Sequence, residues 1–335
     1  MDRLDPRKRS ILQAVVLEYV QGAEPVASEL ISNKYDLRVS SATIRNELAE
    51  MSELGFLEKP HTSAGRIPSD EGYRYYVDYI SQPRQPDNAD QTKVKGVAED
   101  GDTLQELLRE STRLLARVTQ LLSAATVARN TQVKVKHAVI TALGPESGLL
   151  VFVLSNGHVE NRLVELPSGT TLEHMGHVNA KIKELTDAKP LASLTNLKSQ
   201  AGGDKLTQLA TTTIRAIAKD LTKGMVITEG AEFLFGQPEF KRDAGLLSQL
   251  VGTLDDQNSF YQALTGTGSH VSIGKENSDS QLKPFTIIRR TFFVGDQEAG
   301  TIAIIGPTRL NYDQGISLVE FTAQAVSDTL TKMLK

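Results

Sequence analysis

The segment of residues 40–69, SSATIRNELAEMSELGFLEKPHTSAGRIPS, changes its periodicity halfway along. Its first half places Ile44, Leu48 and Met51 on one narrow arc of a helical wheel, and a serine at its start can cap the helix. After Gly55 the pattern becomes two short strand-like runs, FLEKP and RIP, joined by a polar turn. The segment therefore predicts a short amphipathic helix followed by a β-hairpin.

Two further helices are predicted before this segment. Apolar residues recur at helical spacing between Pro6 and Gly22. A second helix is predicted from about Val26 to Tyr35, with Leu30 and Ile31 facing inward. The stretch DLRVS then makes a tight connection to the third helix.

Residues 1–80 thus follow the plan of a winged helix-turn-helix, in which the third helix enters the major groove and the hairpin touches the DNA backbone or the minor groove. Arginine can pair with guanine and asparagine with adenine, small alanines permit close approach, and first-turn hydroxyls suit a phosphate. Arg66 and Lys59 are the candidates for phosphate or minor-groove contacts. The predicted DNA-binding residues are Ser40, Ser41, Ala42, Thr43, Arg45, Asn46, Ala49, Lys59, His61, Thr62, Ser63 and Arg66.

Charge argues against this prediction. The formal net charge of −4 excludes a protein that coats nucleic acid by bulk electrostatics, so any basic surface must be local. Acidic residues also slightly outnumber basic ones over residues 1–80. We interpret these acids as lying on helices away from the surface that faces the groove. The alternative is that the hairpin is a protein–protein wing with a solvated polar loop.

The remaining chain predicts a multidomain α+β protein, because 335 residues exceed one domain of roughly 100–200 residues. Residues 81–102 hold two prolines and almost no large apolar side chain, which is typical of an exposed linker. Residues 103–169 and 226–335 alternate helices and strands, and we predict that they form one α/β domain. Residues 170–225 are predicted to be a smaller helical piece inserted into it.

Several classes of function are not indicated by the sequence. No cysteine is present, and no apolar run approaches the ~20 residues that a membrane helix needs, so we expect a cytoplasmic protein without disulfides or membrane contact. His174 and His177 stand at helical spacing without a recognisable third ligand, and Asp255 and Asp256 are adjacent and would point apart on a helix. We therefore predict neither an enzyme nor a cofactor or metal site.

Four stretches resemble a known family. The run SSATIRNELAEMSELGFLEKPHTSAGRIPSDEGYRYYVD closely resembles the heat-inducible transcription repressor HrcA family. IGKEN at Ile273–Asn277, IGPTRLNY at Ile305–Tyr312 and QPEF at Gln237–Phe240 look like C-terminal motifs of that family. Leu310 and Asn311 depart from the pattern, since Met and Asp are expected there, and this puts local packing in question.

The resemblance implies a winged-helix DNA-binding domain, a GAF-like α/β domain and a dimerisation segment inserted into the latter at residues 170–225. It also implies a homodimer that binds the inverted-repeat operator CIRCE and represses chaperone operons of the groE and dnaK type. In this family the chaperonin GroEL maintains the active protein, and heat stress relieves repression. An alternative is a small-molecule-responsive winged-helix regulator that uses the GAF-like domain as a ligand sensor.

Overall fold

The computed structural model combines helices and sheets and divides into two compact units. It describes residues 4–61, 65–100, 103–127, 133–155, 157–197, 204–223, 225–266 and 269–333. The first unit comprises Met1–Thr126 with Val226–Thr331, and the second comprises Val127–Met225 with Lys332–Lys335. Within the first unit we call residues 4–80 the head and the remainder the body.

The head begins with three helices and a hairpin, as the sequence predicts. The helices are α1 (Pro6–Gly22), α2 (Ser28–Lys34) and α3 (Ser41–Glu53), and the hairpin strands are β1 (Leu57–Glu58) and β2 (Ile67–Pro68). The two strands pair antiparallel, with Leu57 opposite Pro68 and Glu58 opposite Ile67.

The local signals in the sequence explain why α3 forms where it does. Ser40 occupies the N-cap position, and its Oγ accepts a hydrogen bond from the Thr43 backbone N–H at 3.2 Å. Ile44, Leu48 and Met51 are all buried, as predicted from their spacing. In α2, Ile31 is buried but Leu30 is 42% exposed, so the prediction that both face inward is wrong for Leu30.

The head ends in two short helical segments, α4 (Asp70–Tyr75) and a π-helical turn (Tyr76–Ile80). The predicted linker at residues 81–102 is not wholly irregular, because α5 (Asn88–Asp100) lies within it. Helix α5 is not predicted from the sequence because the apolar pattern of this segment is weak, although Val94 of the helix is buried. The body then continues with α6 (Leu104–Thr119) and β3 (Leu122–Val127).

The second unit is a three-stranded antiparallel sheet covered on one face by helices. Its elements are β4 (Val135–Ala142), β5 (Ser147–Leu154), β6 (Val159–Glu165), α7 (Leu172–Thr186), α8 (Leu191–Leu194) and α9 (Lys205–Lys223). Phe152, Ile182 and Ile214 belong to its apolar core. The prediction that β4, β5 and β6 share one domain sheet with the later strands is wrong, because they form a sheet of the order β4-β5-β6 that includes none of the other strands in the described part of the chain. Their apolar alternation identifies strands but cannot select between sheets.

The chain then returns to the body. Its elements are β7 (Met225–Glu229), α10 (Ala231–Leu234), α11 (Pro238–Arg242), α12 (Ala244–Asp255), α13 (Gln257–Thr265), β8 (Val271–Ile273), β9 (Phe285–Val294), β10 (Gln297–Pro307) and α14 (Tyr312–Met333). The body sheet has the order β7-β3-β10-β9-β8, so β3 lies between two strands that come much later in the chain, β7 and β10. Phe285, Ile287 and Ile305 anchor a core between this sheet and its helices. Across the described residues, no helix has the length and apolar character needed to cross a lipid bilayer.

Candidate nucleic-acid interface

The outward face of α3 carries polar side chains that are free to bind. Ala42, Arg45 and Asn46 are exposed, whereas Thr43 and Ala49 are half-buried. Among the described residues, neither Arg45 nor Asn46 has a hydrogen-bond or ion-pair partner. Because neither side chain is used by the fold, both are available to base edges in a major groove.

The start of α3 is held by hydroxyl contacts. The hydroxyls of Ser40 and Thr43 lie 3.0 Å apart, and Ser41 Oγ donates to Ser28 Oγ of α2 at 3.3 Å. These contacts fix the turn between α2 and α3. The first backbone N–H groups of a helix have no partner within it, so the start of α3 still presents donors suited to a phosphate oxygen.

Two of the three acidic residues of α3, Glu47 and Glu50, are paired with the first turn of α1. Lys8 Nζ lies 2.9 Å from Glu47 Oε2 and 3.2 Å from Glu50 Oε2, and Arg7 lies 3.4 Å from Glu47. The hydrogen bond with Glu47 raises the pKa of Lys8 above its ordinary value. These carboxylates are therefore compensated within the head and oppose an approaching phosphate backbone less than their number suggests.

The remaining predicted DNA-binding residues belong to the hairpin segment, where they lie in different surroundings. Lys59 and His61 are exposed beside the tip, whereas Thr62 and Ser63 lie outside the described residues. Arg66 lies immediately before β2, on the loop side of the hairpin, and its Nε donates to Ser52 Oγ of α3 at 2.8 Å. Its side chain thus contacts α3, an arrangement that favours an architectural role over the phosphate contact predicted from the sequence.

Arg66 also fixes the hairpin through its backbone. Its N–H donates to the carbonyl of Val26 at 2.9 Å, and its carbonyl accepts from the Val26 N–H at 2.8 Å. Ser52, the side-chain partner of Arg66, in turn donates to the Leu48 carbonyl at 2.9 Å. The start of the returning arm of the hairpin and the C-terminal half of α3 are therefore joined by hydrogen bonds.

Arg38, in the turn immediately before α3, is a further candidate that the sequence did not single out. Its backbone is left-handed, with φ of +53°, and its side chain is 89% exposed, 3.9 Å from Asp36. A non-glycine residue in this region costs about 1–2 kcal/mol, and such strain concentrates at functional sites. No turn motif in the sequence predicts a left-handed backbone at this arginine. The run DLRVS does, however, contain a single cationic residue next to the helix that is predicted to read bases.

Comparison with known proteins identifies the family. The sequence model of the HrcA protein C terminal domain matches residues 105–316. The heat-inducible transcription repressor HrcA of Shouchella clausii is 33% identical over 342 residues, which cover 99% of this chain and 98% of that protein. The repressor of the same name from Carboxydothermus hydrogenoformans is 33% identical over 98% of both chains. The chain belongs to the HrcA family of heat-inducible transcription repressors.

The resemblance based on the four HrcA motifs is thus confirmed. The structure also accounts for the two departures from the family pattern. Leu310 is only 4% exposed, so an apolar side chain is retained at a buried site. Asn311 Oδ1 accepts from the Gln314 N–H at 3.2 Å, which is the bond that an aspartate can make at the start of a helix. Leu310 and Asn311 thus supply an apolar buried side chain and a helix-start hydrogen bond, which the expected Met and Asp could also supply.

A solved structure shares the fold of this HrcA-family chain. A crystal structure of a hypothetical protein, at 20% sequence identity, covers 98% of this chain and 99% of its own, with a TM-score of 0.66. At this identity the likeness concerns the fold alone.

Proposed function

We propose that this HrcA-family repressor binds the CIRCE inverted repeat as a homodimer, with residues 1–80 of each copy acting as a winged helix-turn-helix. The observation that carries the proposal is the outward face of α3, where Arg45 and Asn46 are exposed and unpaired among the described residues. Ser41, Ala42 and Thr43 begin the same helix at the end that would enter the groove.

The hairpin completes the proposed interface. Lys59 and His61 lie on the exposed arm that follows β1, and a hydrogen bond of Arg66 holds the arm that leads into β2 against α3. We assign phosphate contacts to Lys59 and to Arg38, because each presents a cation on an exposed segment that flanks α3. Arg66 supports these contacts because its hydrogen bonds fix the position of the hairpin relative to α3.

A second copy of the chain is proposed because one reading helix buries too little surface for specific affinity, whereas two heads on an inverted repeat also read half-site spacing. The uncovered face of the β4-β5-β6 sheet supports the proposal. Val139, Val159 and Leu163 are 41%, 53% and 71% exposed there, although they lie on strands. Exposed apolar side chains grouped on one sheet face are typical of an interaction surface.

Leu163→Asp should convert the dimer into monomers, because a carboxylate would be buried without a partner in the proposed interface. Sedimentation equilibrium gives the mass directly. Val251→Asp is a matched control, since Val251 is 47% exposed on α12 of the body and lies outside both the sheet and residues 170–225. A Leu163→Asp protein that remains dimeric would place the interface elsewhere.

The regulatory part of the proposal is that the chaperonin GroEL maintains operator binding and that heat relieves it. The body, with its five-stranded sheet and flanking helices, would be the GAF-like domain and the thermally sensitive element. The test is an operator gel shift across temperature, with and without GroEL. Binding that is insensitive to both would remove this part of the proposal. Failure to select the inverted repeat over a scrambled duplex would remove the operator assignment.

A second candidate function, a small-molecule sensor, is favoured by one cavity between the head and the body. A space of about 650 Å³ is lined by Arg289, Gln262 and Ser272 of the body and by Arg74 and Asp78 of the head, among other residues. The Arg289 side chain donates to the carbonyls of Ala263 and Ser269 at 2.6 and 3.1 Å and has no carboxylate partner among the described residues. Calorimetry with small carboxylates and phosphates distinguishes the two candidates, since only a sensor would bind one and change its operator affinity.

A further inference from the structure

The head is bound to the body at two separate places, and family motifs supply the body's side of each. At the first, Asp70 of α4 meets the IGKEN motif. Its Oδ2 accepts a hydrogen bond from the Lys275 N–H at 3.0 Å. A Cβ added to Gly274 would lie 2.1 Å from the same oxygen, and the φ of Gly274 is +56°. Glycine is therefore required for the carboxylate to approach this closely.

Arg74 makes the charged contact at this first place. Its Nε donates to Glu276 Oε1 at 2.8 Å, and its NH2 group donates to Glu276 Oε2 and to the Val271 carbonyl, both at 2.5 Å. The Arg74 side chain is only 21% exposed. Paired guanidinium and carboxylate groups of this kind restrict orientation as well as distance.

Aromatic packing accompanies these polar contacts. Tyr73 of the head and Tyr312 of the body are each 1% exposed, with ring centroids 5.4 Å apart. Tyr76 packs against the same ring at 6.3 Å, and its hydroxyl donates to Asp313 Oδ2 at 3.0 Å. The first contact is therefore a buried interface with directional bonds at its rim.

The second place lies at the C-terminal end of α1. Arg309 of the GPTRLNY motif donates from NH1 to the Val20 carbonyl at 2.9 Å. The same guanidinium is held by Glu239 and Gln237 of the QPEF motif, at 2.5 and 2.9 Å. Nearby, Arg242 donates to Glu24 at 2.7 Å. A cation at a helix C-terminus also interacts favourably with the exposed carbonyl groups there.

We propose that Arg74 and Arg309 are positioning residues for operator reading, which fix the orientation of the head on the body and thereby set the half-site spacing that the repressor accepts. This inference rests on the proposed function, a dimer on an inverted repeat. The paired bonds of Arg74 orient the head at α4, and the bond of Arg309 to Val20 orients it at α1. Bonds at two different helices restrict rotation of the head more than the bonds at either helix alone.

The consequence for recognition follows from DNA geometry. One inserted base pair moves a half-site by about 3.4 Å and rotates it by about 35°. A head held only by the irregular residues 81–87 could follow such a change, because a short coil reorients at little cost. A head fixed at two places cannot follow it, so an altered spacing should weaken operator binding by the wild-type protein.

The test compares the wild type, Arg74→Ala/Arg309→Ala and Arg109→Ala on inverted repeats whose spacer is unchanged or altered by one base pair. Arg109 is exposed on α6, and its replacement removes the same kind of charge without touching the head. The wild type and Arg109→Ala should lose about tenfold or more in affinity on the altered spacer, and the double variant less than about threefold. Equal spacing penalties in all three proteins would overturn the inference. Arg74→Lys, which keeps the charge but not the paired geometry, should show an intermediate penalty.

A measurement without DNA separates the inference from the proposed function. The chain has no cysteine, so spin labels can be attached uniquely at Asn33→Cys in the head and Lys283→Cys in the body, both exposed positions. Double electron–electron resonance should give a narrow distance distribution in the otherwise wild-type protein and a broad one in the double variant. Narrow distributions in both would refute the positioning role. Should the wild type not select an inverted repeat, the operator assignment fails while these distances still decide the positioning role.

Discussion

Replacing Arg45 by alanine is expected to weaken operator binding without weakening the fold. The Arg45 side chain is exposed on α3 and makes no contact of its own with described polar groups. Surface substitutions of this kind change the free energy of unfolding by no more than about 0.5 kcal/mol. Binding and stability should therefore respond independently.

The size of the effect on binding follows from the base pairs that Arg45 would read. One arginine paired with guanine O6 and N7 discriminates against another base by about 1–3 kcal/mol. A dimer loses this hydrogen-bonded pair at both half-sites, so the loss is roughly 2–6 kcal/mol, or roughly 30-fold to 20,000-fold in the dissociation constant. A side chain that touches only a phosphate would cost less and would weaken all sequences alike.

Fluorescence anisotropy with a labelled inverted repeat measures the loss of operator affinity. A set of duplexes, each with one candidate guanine replaced, identifies the base pair that Arg45 reads. Arg45→Ala should bind the wild-type and replaced duplexes with similar affinity, whereas the wild-type protein should distinguish them. Arg109→Ala serves as the charge-matched control and should behave as the wild type. If Arg45→Ala keeps the full base preference, or if its urea midpoint falls with its affinity, the assignment of Arg45 as a base-reading residue is refuted.

Three further outcomes are expected. Arg38→Gly removes a proposed phosphate contact but relieves a left-handed backbone, so operator affinity should fall while the urea midpoint stays level or rises; a lowered midpoint would contradict this. Gly72→Ala would place a Cβ 2.1 Å from the Phe56 carbonyl oxygen, so urea denaturation should show a loss of about 1–3 kcal/mol. Lys34 lowers the pKa of Glu18, so this pair stabilises the fold above pH 4.5 and progressively less on acidification; Glu18→Gln should flatten that pH dependence, and an unchanged slope would count against it.

Local features of the sequence were sufficient to predict α3. Ser40, Ile44 and Leu48 give a cap and an apolar spacing that need no information from distant residues. The same is true of the β1–β2 hairpin, whose turn lies between two short runs. These elements, together with the exposed face of α3, are the part of the candidate site that the sequence determines.

The features that the sequence did not predict depend on contacts between residues that are far apart in the sequence. The partner of Arg66 is Ser52, and nothing in the hairpin sequence shows that its guanidinium turns back to α3. Strands β4 to β6 carry ordinary strand patterns, and their separate sheet depends on which strands meet in three dimensions. Arg38 adopts a conformation that sequence rules reserve mainly for glycine and asparagine, so its position could not be anticipated.

The contact between Arg309 and Val20 joins residues that are 289 positions apart. During synthesis, the end of α1 therefore leaves the ribosome long before its partner, and Val127–Met225 of the second unit are made in between. Until β9, β10 and α14 have been synthesised, the apolar surfaces of the head and of β3 lack these partners and are prone to aggregation. Such a high contact order slows folding and prolongs the exposure of partly folded states.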